Sequence, residues 1–105
     1  MAKLIVTLKG KEIEGKDYSM VYFNTMMALD SAITVNCADI TWDDEPIVVK
    51  GKLRKSGRRD LRKGEYGIQV PGGAENQANI LKMFKKALVK KGIIEENDFI
   101  INFSS

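Results

Sequence analysis

Residues 75–91 form the only stretch of this 105-residue chain in which apolar side chains recur at helical spacing. Ile80, Phe84 and Leu88 fall four residues apart, which is the repeat of one face of an α-helix. Gly92 follows directly, and glycine commonly ends a helix at this position. The sequence therefore predicts one amphipathic helix over residues 75–91.

Shorter segments alternate apolar and polar residues, as half-buried β-strands do. The predicted strands span residues 2–8, 18–27, 31–40, 46–54, 66–70 and 98–103. The segments 46–54 and 66–70 are expected to pair as a hairpin with its tip at 55–65. Residues 26–32, just ahead of the third strand, are also compatible with a short helical turn.

These elements predict an α+β fold rich in strands: a twisted antiparallel sheet or OB-like open barrel, with one C-terminal amphipathic helix and a final strand. The length is that of a single domain, residues 1–105. Cys37 is the only cysteine and has apolar neighbours, which indicates a buried thiol in a reducing compartment. No segment approaches the ~20 apolar residues of a membrane span, so we expect a cytoplasmic protein without a membrane partner.

Positive charge is concentrated in residues 50–63, which we call the basic segment. Its cations are Lys50, Lys52, Arg54, Lys55, Arg58, Arg59, Arg62 and Lys63. Asp60 is the only acidic residue in the segment. Clustered cations on a two-stranded ribbon neutralise phosphates and release counterions, so the segment predicts nucleic-acid contact. The alternative is a solvated loop that blunts a sheet edge, a role that rarely needs so many cations.

Three aromatic residues, Tyr18, Tyr22 and Trp42, lie in segments whose apolar strand face is already filled by other residues. Aromatic side chains exposed beside a basic groove stack unpaired bases with little regard to sequence. We therefore predict nucleic-acid-binding roles for all three. The alternative is a second core face or a dimer contact.

Acidic residues cluster ahead of the basic segment, at Asp39, Asp43, Asp44 and Glu45. Carboxylates of this kind bind Mg²⁺, but a solvated turn that pairs with the basic segment is the preferred interpretation. The chain contains no histidine, which excludes Ser–His and Cys–His nucleophiles. We expect a protein that is not an enzyme and that needs no metal or other cofactor.

The stretch GKDYSMVYF, residues 15–23, resembles a strand of small phage single-stranded-DNA-binding proteins of the OB-fold or gene-V type. In that family a Gly-Lys-x-Tyr-Ser sequence leads an aromatic-bearing strand. The resemblance implies base stacking by Tyr18 and Tyr22 and phosphate contacts from the basic segment. The predicted late helix and the absence of an acidic C-terminal tail depart from the pattern.

The C-terminal helix and strand are similar in spacing to RusA-type Holliday-junction resolvases. The matching positions are Asn79, Lys82, Ala87, Leu88, Gly92 and Ile100. The aspartates expected just before Asn79 are replaced by Asn76 and Ala78, and the downstream acidic pair falls on Glu96 and Asn97. This resemblance implies a relative that does not cleave.

The sequence as a whole predicts non-enzymatic binding of nucleic acid, with single-stranded DNA favoured by the tyrosines. One alternative is a degenerate RusA-like junction-binding protein or nuclease. Another is a protein-interaction module that docks on an acidic partner. A homodimer is also an expected assembly, because small binding proteins often double their site.

Overall fold

The computed structural model of the protein describes residues 2–50, 57–61 and 66–104. In chain order its elements are β1 (Lys3–Leu8), β2 (Lys11–Glu12), α1 (Tyr18–Asn36), β3 (Thr41–Trp42), β4 (Glu45–Pro46), β5 (Val48–Lys50), β6 (Gly57–Leu61), β7 (Tyr66–Gln69), α2 (Ala74–Lys90) and β8 (Phe99–Ser104). A single turn of 3₁₀-helix, Glu96–Asp98, leads into β8.

The first and last of these strands lie side by side in an antiparallel sheet of order β2-β1-β8. Six residue pairs join β1 to β8, beginning with Lys3 opposite Ser104. The alternation predicted for residues 2–8 is confirmed, since Leu4 and Val6 are buried and their neighbours in the strand are not. The final strand predicted over 98–103 is also confirmed.

Residues 18–36 form helix α1, so the strands predicted over 18–27 and 31–40 are wrong. Tyr22 and Phe23 are adjacent and both buried, which an alternating strand facing one core does not allow. The buried residues of α1 cover more than half of its circumference. A helix that is apolar over so wide an arc is packed on several sides, and its sequence lacks the single apolar stripe of a surface helix.

Both ends of α1 are held by side chains. Asp17 is the N-cap, and its Oδ1 accepts a 2.9 Å hydrogen bond from the backbone N–H of Met20. At the other end, the Lys91 ammonium donates a 2.7 Å hydrogen bond to the backbone carbonyl of Asn36. Between them the helix is kinked at Asp30, whose φ of 25° lies outside the helical region.

Helix α2 confirms the predicted amphipathic helix, shifted by one residue at each end. Its apolar stripe, which includes Ile80, Phe84 and Leu88, is buried and faces α1 and β8. Gly92 follows with a φ of 73°, a left-handed conformation that favours glycine. The helix thus packs its predicted face against both the first sheet and α1.

A second antiparallel sheet has the order β5-β7-β6. Its β5–β7 ladder, with Val48 opposite Ile68, pairs residues 48–50 with 66–68, as predicted for the stretches 46–54 and 66–70; residues 51–54 lie outside the described residues. The prediction that residues 55–65 form the tip of this hairpin is wrong for residues 57–61, because they form strand β6, which pairs with the other edge of β7. A two-residue turn joins β3 and β4 into a separate small hairpin.

The α+β fold class is confirmed, with two long helices in the described residues where the sequence predicted one. The described strands form separate small antiparallel sheets and no barrel. No helix in the described ranges combines the length and the apolar character needed to cross a bilayer. Cys37 is buried as predicted, next to the C-terminus of α1.

Candidate functional site

The basic segment begins on β5 and runs through β6, the two strands that flank β7. Lys50 is exposed at the end of β5 and stands opposite Tyr66 of β7, which in turn stands opposite Leu61 of β6. The sheet register thus brings both parts of the segment to one end of the β7 strand. The remaining cations, Lys52, Arg54, Lys55, Arg62 and Lys63, lie outside the described residues.

Arg58 and Arg59 occupy an irregular part of the β6–β7 ladder. Gly57 pairs with Gln69 and Asp60 pairs with Gly67, so two arginine positions on β6 face the single intervening residue of β7. This two-against-one count defines a β-bulge, and bulges at sheet edges bend the strand and redirect its side chains. Bulges are also one of the features by which proteins limit the pairing of an edge strand with another chain.

Tyr22 does not lie on the surface: its side chain is 0% exposed, so its predicted role in base stacking is wrong. The Tyr22 hydroxyl donates a 2.9 Å hydrogen bond to the backbone carbonyl of Gln69. Burial raises the pKa of Tyr22 above its ordinary value, because the anion would lose its hydration. Tyr22 is therefore a core residue that joins α1 to β7.

Tyr18 and Trp42 are both partly exposed and line different cavities. Tyr18 lies at the start of α1, beside a cavity of about 430 Å³ that Lys3 and Lys16 also line. Trp42 lines a second cavity, of about 240 Å³. These two aromatic residues keep the accessibility that base stacking requires, whereas Tyr22 does not.

The Trp42 cavity, as we name it, forms where the β3–β4 hairpin meets the link between β7 and α2. Its walls include Trp42, Asp43, Glu45, Gln69, Pro71 and Asn76. The hairpin is fixed to β7 through Ile47, whose N–H donates to the Ile40 carbonyl at 3.2 Å and whose carbonyl accepts from the Gln69 N–H at 2.9 Å. The cavity thus has an aromatic residue and several polar residues in its lining, and backbone hydrogen bonds hold its two sides together.

Gln77 ties this region to the start of α1. It is completely buried, and its Nε2 donates to the Pro71 carbonyl at 2.7 Å and to the Ser19 Oγ at 3.1 Å. Pro71 lines the Trp42 cavity, and Ser19 follows Tyr18 directly in the sequence. One buried amide on α2 therefore connects the start of α1, which carries Tyr18, with the β7–α2 link, which lines the Trp42 cavity.

The acidic residues lie mainly in the β3–β4 turn. Asp43 and Asp44 are the two turn residues, with φ values of 52° and 63°, and both are exposed. Asp39 is exposed ahead of the hairpin. Within the described ranges, no three Asp, Glu, Cys or His side chains come together in a metal-binding arrangement.

The sequence interpretation missed the Trp42 cavity because its walls come from two stretches that are distant in sequence, residues 42–47 and 69–76. A local signal for the hairpin was present: the Asp43–Asp44 pair fits a two-residue turn with positive φ, where aspartate is tolerated. This acidic cluster was interpreted from the sequence as a solvated turn, but the short strands β3 and β4 were not placed on either side of it. Of the positions that carried the resolvase resemblance, Glu96 forms a 3.2 Å ion pair with Lys85.

Comparison with protein-family models, with curated protein sequences and with solved structures gives no match to this chain.

Proposed function

We propose that the protein binds single-stranded nucleic acid, with DNA as the favoured target, and that it does so without catalysing a reaction. The observation that carries this proposal is the basic segment, in which eight cations accompany one acid. The described residues of the segment belong to a sheet, since Lys50 lies on β5 and two of the arginines lie on β6. Cations held on strands contact phosphates with less loss of chain entropy than a mobile tail does.

Support for an unpaired strand comes from the accessible aromatic residues. Tyr18 and Trp42 each line a cavity and are partly exposed, so each offers a ring on which a base can stack. Duplex DNA keeps its bases stacked on one another and offers no such partner. The loss of Tyr22 from the interface leaves two stacking positions in the proposal instead of three.

The proposal is tested by titrating fluorescently labelled oligonucleotides, single-stranded and duplex, and measuring polarisation across a range of salt concentrations. We expect single strands to bind more tightly than duplexes of the same length. The logarithm of the affinity should fall with the logarithm of salt concentration with a slope of roughly −3 to −5, as for five to seven contacted phosphates. Absence of binding at low salt, or an affinity that ignores salt, would overturn the proposal.

A separate experiment tests the proposal that the protein does not cleave nucleic acid. The same labelled strands, and a labelled four-way junction, are incubated with Mg²⁺ or Mn²⁺ and separated on a denaturing gel. We expect intact strands. Cleavage of the junction that disappears in the Glu96→Gln variant would favour the resolvase alternative.

A further inference from the structure

We propose that the Trp42 cavity takes one guanine base of a bound strand and that Asp43 reads the Watson–Crick edge of that base. This inference rests on the proposed binding of single-stranded nucleic acid and adds a base preference to it. It is carried by the size of the cavity, its aromatic wall and the chemistry of its polar groups.

The size of the cavity suits a base rather than a whole nucleotide. Its volume of about 240 Å³ lies below the ~300–1,000 Å³ of pockets that hold drug-sized ligands. The indole of Trp42 and the ring of Pro71 supply flat apolar walls, against which a planar base packs. A base that enters here leaves its sugar and phosphate outside.

The polar walls of the cavity exclude a phosphate. Asp43 and Glu45 are among the lining residues, and carboxylates at these positions repel a phosphate and accept hydrogen bonds without donating any. The basic segment starts at Lys50, in the strand that follows the β3–β4 hairpin. The charges therefore favour one orientation of a bound strand, with a base towards the hairpin and the phosphates towards the basic segment.

A carboxylate acceptor favours guanine among the four bases. Guanine presents two adjacent donors, N1–H and the N2 amino group, which match the two oxygens of a carboxylate. Adenine and cytosine present an amino group beside an acceptor ring nitrogen, and thymine presents one N–H between two carbonyl oxygens. Each of those edges places an acceptor against the carboxylate, so the pairing with guanine is the most favourable.

The cavity is already formed in the unbound protein. Asp43 is held in a tight turn, and Asn76 is fixed by a 2.9 Å hydrogen bond from its Nδ2 to the Gly72 carbonyl. Gln69 is anchored to Ile47 through its backbone. Because the backbone of this frame and the Asn76 side chain are held by these contacts, a base that enters the cavity incurs little additional ordering entropy from them.

The test uses the fact that Trp42 is the only tryptophan in the chain, so fluorescence excited selectively from tryptophan, without the three tyrosines, reports on this cavity. Thymine pentamers with a central guanine, hypoxanthine, adenine, cytosine or thymine are titrated, and quenching of Trp42 is recorded. We expect the guanine pentamer to quench at a concentration about tenfold lower than the thymine pentamer. Hypoxanthine, which lacks the N2 amino group, should fall between them.

Two neighbouring variants separate base reading from folding. Asp43→Asn should reduce the preference for guanine and leave binding of the thymine pentamer in place. Asp44→Asn is the matched control, because Asp44 shares the turn, the exposure and the positive φ but does not line the cavity. Asparagine tolerates positive φ, so both variants should fold. Equal loss of preference in both variants would overturn the role of Asp43.

Failure of this inference is distinguishable from failure of the proposed function. If polarisation shows that pentamers bind while Trp42 is quenched equally by all of them or by none, the guanine site is overturned and nucleic-acid binding stands. Free guanosine, which has no phosphate, is titrated against free thymidine as a second arm. Quenching by guanosine alone supports the cavity as a base site even where the pentamers do not bind.

Discussion

The hydroxyl of Tyr22 donates a hydrogen bond of 2.9 Å to the backbone carbonyl of Gln69. This contact joins the first half of α1 to the last residue of β7, 47 positions further along the chain. Both residues are buried. The tyrosine that the sequence assigned to the surface is thus part of the contact between α1 and the sheet that carries the basic segment.

Tyr22→Phe should lower the free energy of unfolding by about 1–2 kcal/mol, because it removes a buried hydrogen bond and keeps the ring. Tyr22→Ala should cost ~3–5 kcal/mol, since it also leaves a cavity. Chemical denaturation measures both values. Oligonucleotide affinity of folded Tyr22→Phe should equal that of the unaltered protein, and a selective loss of affinity without loss of stability would contradict the core role.

Alkaline pH should destabilise the protein through Cys37. Burial raises the pKa of this thiol from 9.0 to about 11, with the nearby Lys91 partly opposing the shift. Above pH 9 the unfolded chain therefore loses the thiol proton while the folded protein retains it, so rising pH favours unfolding. The contribution is fully present below pH 9 and is lost between pH 9 and 11, with a slope approaching about 1.4 kcal/mol per pH unit.

Denaturation series between pH 8 and 11 measure this dependence. Cys37→Ala is the control, and its stability should fall less over the same interval. Tyr22 adds a loss of the same sign above about pH 10, so the comparison is made in the Tyr22→Phe background as well. Identical pH profiles with and without the thiol would refute the assignment to Cys37.

Gly15→Ala should destabilise the protein by about 1–3 kcal/mol, because the added methyl group would overlap backbone at the start of α1. A Cβ at this position lies 2.7 Å from the Val21 nitrogen and 2.9 Å from the Met20 carbonyl carbon. Gly72→Ala is the matched control, since a Cβ there meets nothing within 4 Å. Thermal melting compares the two, and equal melting temperatures would show that the approach at Gly15 is looser than described.

Replacing Arg58, Arg59 and Arg62 together by alanine should weaken binding of all single strands to a similar degree. It should also flatten the salt slope by about two units, because each lost phosphate contact on a single strand removes about 0.7. The control replaces Lys82, Lys86 and Lys90, three exposed lysines on α2, and removes the same charge elsewhere. Similar slopes in both triple variants would indicate a general charge effect instead of a site in the basic segment.

The elements that the sequence predicted well are those with one buried face. Residues 74–90 carry a single apolar stripe bounded by Gly73 and Gly92, and β1 has simple alternation, so local pattern and tertiary packing agree. Helix α1 lacks such a pattern because it is buried over a wide arc. Its N-cap, Asp17, was the local signal that favoured a helix, and the apolar residues that follow were compatible with either structure.

The candidate site also has one part that could be predicted from the sequence and other parts that could not. The charge of the basic segment is a property of composition and could be read directly from the sequence. Whether Tyr18, Tyr22 and Trp42 are exposed depends on the secondary structure around them. Because residues 18–27 were predicted as a strand and form a helix, Tyr22 was predicted to be exposed and is buried. The Trp42 cavity depends on contacts between residues 42–47 and residues 69–76, and neither stretch of sequence alone contains that information.

The pairing of β1 with β8 has a consequence for how the chain folds. Residues 3–8 are synthesised about ninety residues before β8, their main hydrogen-bonding partner, and among the described strands β2, of two residues, is the one other strand that pairs with them. Long-range pairings of this kind form slowly, because the entropy cost of bringing the two strands together comes before the favourable energy of their contacts. Helices α1 and α2 can begin to pack earlier, while β1 still lacks its pairing with β8. Translation of the last strand is therefore the step that completes this sheet.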